Sequence, residues 1–438
     1  MKRIKIGLIG FGTIGTGVVK ILQKNSAVIR QRLGASLELK RIADLDITTA
    51  RDVTVRRELL TTDAAQVLDD PGIDIVIELM GGIEPARKFI LRAIKNGKHV
   101  VTANKALLAE HGDEIFRAAA ASGVDVAFEG SVGGGIPIIR ALREGLSANN
   151  ILGIFGILNG TSNYILSRMT EESEQFEDIL KDAQNHGYAE ADPTLDIEGI
   201  DTAHKLAILA NLAYGKKINL KKIYTEGISK ITPLDIEFAR ELGYKIKLLA
   251  ICRGSGLEID VRVHPTLIPD GHLLSRIDGT FNAIFLQGDA VGPCMLYGRG
   301  AGMMPTGSAV VSDVMELSRN LIKGITQRML PLEKAALKEI KIKSMQDIQT
   351  RYYLRFSAID KPGVLASIAG VLGRHQISIH SVVQRGRRTR GGAVPVFMLT
   401  HEARESDLQK ALKEMHRLSI LRAKTVFIRM EESFLQAE

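Results

Sequence analysis

The first third of the chain alternates between short apolar runs and longer stretches in which apolar residues recur every three or four positions. Short apolar runs bounded by turn residues are typical of strands buried on both faces, and the longer period is typical of amphipathic helices. The pattern predicts strands at residues 4–9, 37–43, 74–79, 98–102 and 124–128, and helices at residues 85–96 and 113–122. Strands that alternate with helices in this way predict a doubly wound parallel sheet.

Apolar runs predict further strands in the middle of the chain, at residues 152–158, 246–252 and 257–263. These strands are expected to form a mixed sheet. Thr161 follows an Asn-Gly turn and is expected to cap a helix that runs through residue 168. A glycine-rich segment at residues 298–307 precedes a predicted helix at 308–321, which we expect to return to the first sheet.

The C-terminal part of the chain has a pattern of its own. Alternating and apolar runs predict strands at residues 352–359, 377–384, 393–399 and 421–430. Apolar residues with helical spacing predict one helix between the first two strands, ending near residue 374, and another at residues 406–418. The order βαββαβ predicts a ferredoxin-like fold.

Length and composition limit the class of protein. The 438 residues are expected to form two or three domains, and a content of 45% hydrophobic and 25% charged residues excludes a disordered or collagen-like chain. Two cysteines, neither in a metal-ligand spacing, exclude a disulfide scaffold and favour a reducing, cytoplasmic location. No apolar stretch approaches the roughly 18 residues of a membrane helix, so no membrane partner is expected.

The net charge of +8 is spread along the chain, which argues against a nucleic-acid-binding surface. The densest basic group, interpreted as a solvated loop, comprises Arg385, Arg387, Arg388 and Arg390. The excess of positive charge favours anionic small molecules, including phosphates and carboxylates.

A glycine-rich turn directly follows the first predicted strand. It has the spacing G-x-G-x-x-G and comprises Gly10, Phe11, Gly12, Thr13, Ile14 and Gly15. In such a turn the first glycine permits the tight bend, the second lets the backbone approach a pyrophosphate, and the third allows close helix–strand packing. The helix that follows offers free N–H groups to the phosphates. The segment therefore predicts a dinucleotide-binding domain.

Polar residues and glycines lie at the carboxyl ends of the later strands, where doubly wound sheets bind their ligands. The candidates for this cleft are Gly81, Gly82, Thr102, Asn104, Lys105 and Glu129.

Asp201 and Lys205 are four residues apart on a predicted helix and therefore share one face. Two interpretations are open: a surface ion pair worth a few tenths of a kcal/mol, or a proton donor with its orienting carboxylate. Apolar neighbours on the same helix favour partial burial, which shifts the pKa of a lysine.

Several ungapped runs give the chain a family resemblance: GFGTIG at 10–15, VVTANKALL at 100–108, EGSVGGGIPII at 129–139, NGTSNYIL at 159–166, GYAEADP at 187–193, GIDTAHKLAIL at 199–209 and GRGAGMMPTGSAV at 298–310. In this order they make the chain similar to homoserine dehydrogenase over nearly its full length. The resemblance implies the NAD(P)H-dependent, reversible reduction of L-aspartate 4-semialdehyde to L-homoserine, on the route to threonine and methionine.

The resemblance also implies roles for single residues. Lys205 corresponds to the acid–base lysine of the family, Asp201 to the carboxylate one helical turn before it, and Lys105 to a second active-site lysine near nicotinamide and substrate. The substrate-binding residues that it implies are Glu190, Asp201, Thr161 and Tyr188. The implied cofactor-binding residues beyond the glycine-rich turn are Asp44, Thr102, Lys105, Gly187 and Gly302.

A monovalent cation site, with sodium as the expected ion, is implied as well. Its ligands would be the carboxylate of Glu129 and the backbone carbonyls of Val132, Gly134 and Ile136. A set of oxygen ligands with one carboxylate suits a hard cation.

The C-terminal part, with its DKPGVL start at residues 360–365, resembles an ACT domain, a small regulatory module that binds amino acids at paired interfaces. The resemblance implies an amino-acid effector, with threonine expected, and a homodimer or homotetramer. A dimerisation module without a ligand is the alternative.

Together these observations predict an α/β protein of three domains. Residues 1–135 form a Rossmann-type dinucleotide-binding domain with a doubly wound parallel sheet, completed by residues 300–335. Residues 136–300 form an α+β catalytic and dimerisation domain with a mixed sheet, and residues 350–438 form the ferredoxin-like ACT domain.

Two other functions remain to be weighed. Aspartate-semialdehyde dehydrogenase acts on the same metabolite, but its chemistry needs an activated cysteine; Cys252 lies in an apolar strand and Cys294 follows a Gly-Pro turn. A non-catalytic amino-acid sensor would keep the ACT domain on an inactive dehydrogenase fold. The complete set of lysine, glutamate and aspartate residues argues against it.

The choice between NAD and NADP is expected at the end of the second strand. An acid there binds the ribose 2′-hydroxyl of NAD, whereas an arginine accepts the 2′-phosphate of NADP. Asp44 occupies the strand end and favours NAD, while Arg41, Arg51 and Arg56 lie nearby in sequence. We therefore expect the protein to use both cofactors.

Overall fold

The computed structural model describes residues 2–255, 258–328, 340–384 and 392–434 of the chain. These residues form two compact units, each assembled from three separate stretches of sequence. The first unit consists of Met1–Gly160, Ile200–Ile223 and Thr280–Ile340, and the second of Thr161–Gly199, Tyr224–Gly279 and Lys341–Glu438.

The strands, in chain order, are β1 (Arg3–Ile9), β2 (Ser36–Ala43), β3 (Leu60–Thr61), β4 (Ile75–Glu78), β5 (His99–Thr102), β6 (Val126–Ala127), β7 (Ile151–Ile157), β8 (Tyr224–Thr225), β9 (Tyr244–Ser255), β10 (Glu258–Pro269), β11 (Phe281–Gly288), β12 (Gly292–Arg299), β13 (Lys341–Ile342), β14 (Gln349–Thr350), β15 (Tyr352–Ile359), β16 (Ile379–Gln384), β17 (Ala393–Thr400), β18 (Ala403–Arg404) and β19 (Val426–Met430). The α-helices are α1 (Thr13–Lys24), α2 (Ser26–Leu33), α3 (Ala65–Leu68), α4 (Ala86–Lys95), α5 (Lys105–Ser122), α6 (Ile138–Arg140), α7 (Gly160–Glu172), α8 (Phe176–Asn185), α9 (Thr194–Ile197), α10 (Ile200–Tyr214), α11 (Pro233–Glu241), α12 (Met303–Lys323), α13 (Val364–Arg374) and α14 (Glu405–Met415).

The first unit contains a parallel sheet in the order β3-β2-β1-β4-β5-β6. Because successive side chains of a strand point to opposite faces, Ile75 and Ile77 belong to one buried cluster and Val76 to another. The first cluster includes apolar residues of α1 and α12, and the second includes apolar residues of α4 and α5. Helices therefore cover both faces, which confirms the predicted doubly wound sheet.

The helix predicted at 308–321 begins five residues earlier, at Met303, and the strand predicted at 421–430 begins five residues later, at Val426. Three other differences have a local cause. The helix predicted to begin at residue 113 begins at Lys105, because Asn104 caps it by accepting a hydrogen bond from the Leu107 N–H. The strand predicted at 124–128 is reduced to β6, since a short 3₁₀ turn starts at Glu129. Thr161 lies inside α7 and does not cap it, because its hydroxyl donates to the Tyr188 carbonyl, at 2.7 Å.

A second, antiparallel sheet in the first unit consists of β12, β11 and β7. It lies beside α10, a helix whose apolar residues are buried on nearly every face of its first ten positions. A helix that is apolar all round is expected inside a protein. The burial of α10 decides the environment of Asp201 and Lys205, which lie on its first two turns.

In the second unit β9 and β10 pair as a long antiparallel hairpin, and β19 pairs with β10 with Thr266 opposite Arg429. The ferredoxin-like part has the strand order β19-β15-β17-β16, with α13 and α14 packed on one buried cluster. This arrangement confirms the predicted βαββαβ order. Its last strand is hydrogen-bonded to β10, a strand of the middle of the chain.

None of the helices within residues 2–255, 258–328, 340–384 and 392–434 is long and apolar enough to cross a membrane. The predicted basic loop of Arg385, Arg387, Arg388 and Arg390 lies outside the described residues.

Candidate active site

The glycine-rich turn lies between β1 and α1, and its backbone leaves an open space. Gly10 has a φ of +96°, and a Cβ at Gly15 would lie 2.2 Å from the Gly10 carbonyl oxygen, so both positions need glycine. A Cβ at Gly12 would meet nothing within 4 Å. In the described chain no side chain caps α1, and no acid lies in its first turn. The free N–H groups and the open space suit the pyrophosphate of a dinucleotide.

The end of β2 holds both an acid and an arginine. Asp44 accepts hydrogen bonds from the backbone N–H groups of Phe11 and, at 2.8 Å, Asp46. The Arg51 guanidinium lies 3.8 Å from Asp44 Oδ1 and 4.5 Å from the centroid of the Phe11 ring. Asp44 is thus fixed against the glycine-rich turn, with Arg51 beside it. Arg41 instead donates to the Glu58 carbonyl.

Glu78, the last residue of β4, is fully buried between two loops of the cleft. One carboxylate oxygen accepts from the Met80 N–H at 2.8 Å, and the other accepts from the Thr102 hydroxyl at 2.7 Å. Burial raises the pKa of Glu78, although these hydrogen bonds oppose the shift. Asn104 donates to the Gly82 carbonyl at 2.6 Å and caps α5, so the two loops and the start of α5 are held together.

No motif of the sequence gives Glu78 a role. The signal was present, because a carboxylate ends an otherwise apolar run that predicts a strand buried on both faces.

A cluster of two lysines and one carboxylate lies where α5 and α10 begin. Lys205 Nζ donates to Asp201 Oδ2 at 2.6 Å and to the Leu158 carbonyl at 2.7 Å. Lys105 Nζ lies 2.7 Å from Asp201 Oδ1. The Asn159 amide also donates to Asp201 Oδ2, at 2.9 Å. Asp201 therefore bridges both lysines and is not a surface residue.

The three side chains of the cluster differ in exposure, and their charges do not cancel. The side chains of Asp201 and Lys205 are 4% and 9% exposed, while that of Lys105 is 42% exposed, so the cluster is reached from one side only. Burial by itself would raise the pKa of Asp201, but the charges of Lys205 and Lys105 outweigh it and hold this pKa far below its ordinary value. Two ammonium groups with one carboxylate leave a surplus positive charge.

Asn159 and the Leu158 carbonyl were not singled out for this cluster by the sequence. In the sequence Asn159 is recognisable only as the first residue of an Asn-Gly turn. Asp201, to which it donates a hydrogen bond, lies 42 positions further along the chain. Such a contact depends on how β7 and α10 pack, for which local pattern gives no signal.

The implied substrate residues Thr161, Tyr188 and Glu190 lie in the second unit. Tyr188 is half exposed and its ring centroid lies 4.9 Å from that of Tyr164. Glu190 is exposed, and its carboxylate accepts no hydrogen bond from the described part of the chain. Gly187, with a φ of +72°, begins the turn that presents Tyr188 and Glu190.

The segment that was expected to bind a cation forms a tight turn with a buried carboxylate. Glu129 accepts hydrogen bonds from the N–H groups of Ile139, at 2.8 Å, and Arg140, at 2.9 Å. Burial raises the pKa of Glu129. The Ile136 carbonyl accepts from the Ile138 N–H. Among the described residues, no group of three histidine, cysteine, aspartate or glutamate side chains could hold a metal ion.

Gly302 precedes α12 with a φ of +122°, and the helix packs directly on α1. A Cβ at Gly17 would lie 2.3 Å from the Met303 carbonyl oxygen, so the two backbones touch. The glycine-rich segment at 298–307 therefore lies close to the first turn of α1.

Neither cysteine has the surroundings of a nucleophile. Cys252 is buried in β9, and Cys294 is partly buried in β12.

Three family profiles match the chain. The profile described as "Homoserine dehydrogenase, NAD binding domain" matches residues 10–129, that described as "Homoserine dehydrogenase" matches residues 137–315, and that described as "ACT domain" matches residues 352–419.

Similar proteins cover the chain almost completely. The homoserine dehydrogenase of Pseudomonas aeruginosa is 44% identical over 434 residues, which span 99% of this chain and 100% of that protein. That of Bacillus subtilis is 40% identical over 421 residues and 96% of either chain. The crystal structure of a homoserine dehydrogenase from Thiobacillus denitrificans superposes with a TM-score of 0.92 at 46% identity, over 99% of both chains. A hyperthermophilic archaeal homoserine dehydrogenase mutant in complex with NADPH gives 0.62 at 25% identity, over 72% of this chain and 98% of that one.

Proposed function

Since the chain belongs to the homoserine dehydrogenase family, an oxidoreductase family with a nicotinamide cofactor, we propose that its two-lysine cluster performs the proton transfer of that reaction. The observation that supports this proposal is the Asp201 carboxylate bridging Lys205 and Lys105. The reaction is the reversible reduction of L-aspartate 4-semialdehyde to L-homoserine.

Reduction requires a hydride and a proton. A nicotinamide cofactor held at the glycine-rich turn would supply the hydride for the aldehyde carbon, and the negative charge would then develop on the aldehyde oxygen. Lys205 then gives one proton to that oxygen and becomes neutral, and it is reprotonated from solvent. In the direction of homoserine oxidation Lys205 takes the hydroxyl proton. General acid–base catalysis of this kind contributes roughly 10²–10⁴-fold to the rate.

Lys105 and Asp201 support this step. The surplus positive charge of the cluster stabilises the oxyanion that develops on the substrate, because it acts from a partly buried position. Asp201 holds both ammonium groups at fixed positions, which lowers the reorganisation needed in the transition state. Glu190 and Asp201 bind the amino group of the substrate, and Thr161 and Tyr188 line the substrate pocket.

The cofactor is bound by the glycine-rich turn at Gly10–Gly15 together with Asp44, Thr102, Lys105, Gly187 and Gly302. The open space at Gly12 and the uncapped start of α1 fit a pyrophosphate. Asp44 would accept a hydrogen bond from the ribose 2′-hydroxyl of NAD, and Arg51, which lies 3.8 Å from Asp44, would donate hydrogen bonds to the 2′-phosphate of NADP. Both cofactors are used.

The carboxylate of Glu129 and the carbonyls of Val132, Gly134 and Ile136 would hold a sodium ion. The donor chemistry fits, because all ligands are oxygens and each carboxylate oxygen of Glu129, although it accepts one N–H, keeps a second lone pair. A cation there would fix the turn that precedes α6.

Regulation follows from the ACT domain. Threonine inhibits the enzyme through this domain, and the enzyme is a cytoplasmic homodimer or homotetramer. The support is the match of the ACT profile to residues 352–419.

The test is oxidation of L-homoserine by the full-length protein, followed by the absorbance of the reduced nicotinamide with NAD and NADP separately. We expect turnover with both cofactors. A parallel assay for acyl-phosphate formation from aspartate semialdehyde serves as the control for the rival dehydrogenase. Acyl-phosphate formation without homoserine oxidation would contradict the proposal, and so would the absence of both activities.

A further inference from the structure

A lysine that the proposed proton transfer does not use is buried inside the second unit. Lys247 lies on β9 and is 2% exposed. Its ammonium group donates three hydrogen bonds, to Asp278 Oδ1 at 2.8 Å, to Asn163 Oδ1 at 3.1 Å and to the Ile277 carbonyl. An ammonium group has three donors, so each of them has a partner. Burying a charged group costs free energy of desolvation, which an apolar side chain of similar volume avoids. Packing alone therefore does not require a lysine at this position.

The contact with Asn163 holds the first turn of α7. The Asn163 amide accepts from Lys247 through its oxygen, and its NH₂ group donates to the Ile277 and Gly279 carbonyls, at 3.0 and 2.9 Å. One turn later, the Ser167 hydroxyl donates to the Asn163 carbonyl at 2.7 Å and accepts from the Gly279 N–H at 3.0 Å. Strand β9, the loop of Ile277 and Gly279, and the first turn of α7 are therefore joined around one buried amide.

Two consecutive hydroxyls of the same turn of α7 hold the loop at residues 188–196, which we call the substrate loop. The Thr161 hydroxyl donates to the Tyr188 carbonyl at 2.7 Å, and the Ser162 hydroxyl donates to the Asp196 carbonyl at 2.8 Å. These bonds lie on either side of Glu190 in the chain, and the Glu190 side chain is exposed. The position of the Glu190 carboxylate therefore depends on how firmly α7 holds the backbone of the substrate loop.

We propose that Lys247 is a positioning residue for the substrate loop and acts through Asn163 and the first turn of α7. The inference rests on the proposed function, which assigns substrate binding to residues of this turn and this loop. Without the ammonium group, Asn163 loses the hydrogen bond from Lys247, and the turn that carries it is held less firmly. Part of the free energy of substrate binding is then spent on ordering the loop, so the KM for homoserine rises. The proton transfer and the binding of the cofactor do not depend on this contact.

The test is homoserine oxidation by full-length variants, with kcat and the KM values of homoserine and cofactor measured separately and with folding followed by thermal unfolding. Lys247→Met keeps the length of the side chain and removes its charge and its donors. Lys245→Met is the matched control. Lys245 lies on the same strand and donates to the other carboxylate oxygen of Asp278, at 3.3 Å, and the described contacts include no hydrogen bond from it to Asn163.

A second variant interrupts the same series of hydrogen bonds at another point. Asn163→Ala leaves the ion pair of Lys247 and Asp278 in place, so it decides the question if Lys247→Met does not fold.

We expect Lys247→Met and Asn163→Ala each to raise the KM for homoserine by about tenfold or more, while kcat changes by less than about threefold and the KM for the cofactor stays unchanged. Lys245→Met should behave as the wild type does.

An unchanged KM for homoserine in folded Lys247→Met or in Asn163→Ala would overturn the positioning role. An equal rise in Lys245→Met would overturn it as well, because the effect would then come from the charges at Asp278. A fall in kcat with every KM unchanged would show only a loss of active protein and would count against the role too. The absence of homoserine oxidation by the wild type would overturn the proposed function together with this inference, so the two failures are distinguishable.

Discussion

Glu78 and Asp201 are both buried carboxylates of the first unit, yet their surroundings shift their pKa values in opposite directions. Glu78 receives hydrogen bonds from the backbone and from Thr102, and burial dominates, so its pKa is raised. Asp201 receives two ammonium groups, from Lys205 and Lys105, and they outweigh burial, so its pKa is lowered.

The difference shows how one cleft assigns different tasks to the same chemical group. A carboxylate with only neutral donors fixes backbone loops, and it is destabilised as an anion by its burial. A carboxylate with two cations stays ionised and orders them, and the surplus positive charge is left for the substrate. Glu78 therefore fixes the loops that follow β4 and β5, whereas the cluster around Asp201 is the group to which we assign the proposed proton transfer.

The largest effect on activity is expected from Lys205, the buried cation beside Asp201. Lys205→Ala should reduce the turnover of homoserine by about 10²–10⁴-fold, because the proton donor and acceptor is lost. The KM for the cofactor should change little, since the glycine-rich turn is untouched. Steady-state kinetics with Lys95→Ala, an exposed lysine at the end of α4, as the control would check this. Near-normal turnover would remove Lys205 from the mechanism.

The next effect concerns the carboxylate itself. Asp201→Asn leaves two lysines facing each other beside a neutral group, and loss of one partner of a buried ion pair costs about 3–5 kcal/mol of unfolding free energy. Urea unfolding at neutral pH measures it. Asp69→Asn breaks an exposed ion pair with Arg92 and should cost about 1 kcal/mol or less. Equal losses in the two variants would mean that the Asp201 cluster is solvated.

Glu78→Gln should change the unfolding free energy in the direction opposite to Asp201→Asn. The amide keeps an acceptor for the Met80 N–H and is not penalised by burial, so the unfolding free energy at neutral pH should rise, while the KM for the cofactor increases by about fivefold or less.

The pH dependence sharpens this contrast. A carboxylate with a raised pKa destabilises the folded state above that pKa, and the penalty disappears as the pH falls toward the unfolded value of about 4.3. The advantage of Glu78→Gln over the wild type should therefore shrink as the pH falls from above the raised pKa of Glu78 toward the unfolded value. The loss in Asp201→Asn should stay constant over the same window, because the lowered pKa of Asp201 lies below it. Parallel curves for the two variants would refute the distinction.

The smallest effect is expected at Asp44, a third carboxylate with an intermediate environment. It accepts two backbone N–H groups and lies beside one cation, Arg51. Asp44→Ser should raise kcat/KM for NADP relative to NAD by about tenfold, because a negative charge that would repel the 2′-phosphate is removed from beside Arg51. Arg56→Ser, which alters an exposed arginine paired with Glu58, is the control. An unchanged ratio would show that Asp44 does not face the ribose.

Much of the fold was predictable, because the spacing of apolar residues along the chain shows which face of each helix or strand is buried. Five of the six parallel strands of the first unit and the βαββαβ order were predicted to within a few residues, whereas β3 was not predicted. β15 and the end of α13 were placed at their observed residues. The errors lie where a side chain changes a boundary. Asn104 extends α5 by capping it, and Thr161 bonds to Tyr188 in place of its own helix.

The site was predicted in part, for a related reason. The spacing of Asp201 and Lys205 places them on one helix face, and the pair forms as an i,i+4 contact. The same spacing is equally compatible with a solvated surface pair, and the burial of α10 among apolar neighbours decided between the two. The role of Glu190 in substrate binding and the role of Glu129 in cation binding stay predictions.

The sequence by itself therefore determined the elements, the glycine-rich turn and the local Asp201–Lys205 pair, because each depends on residues close together in the chain. Only the tertiary structure decided that Lys105 reaches the same carboxylate from α5, that Asn159 donates to it and that Glu78 joins two loops. These contacts join residues 24 to 96 positions apart, and their partners are chosen by packing and by the need to pair every buried charge.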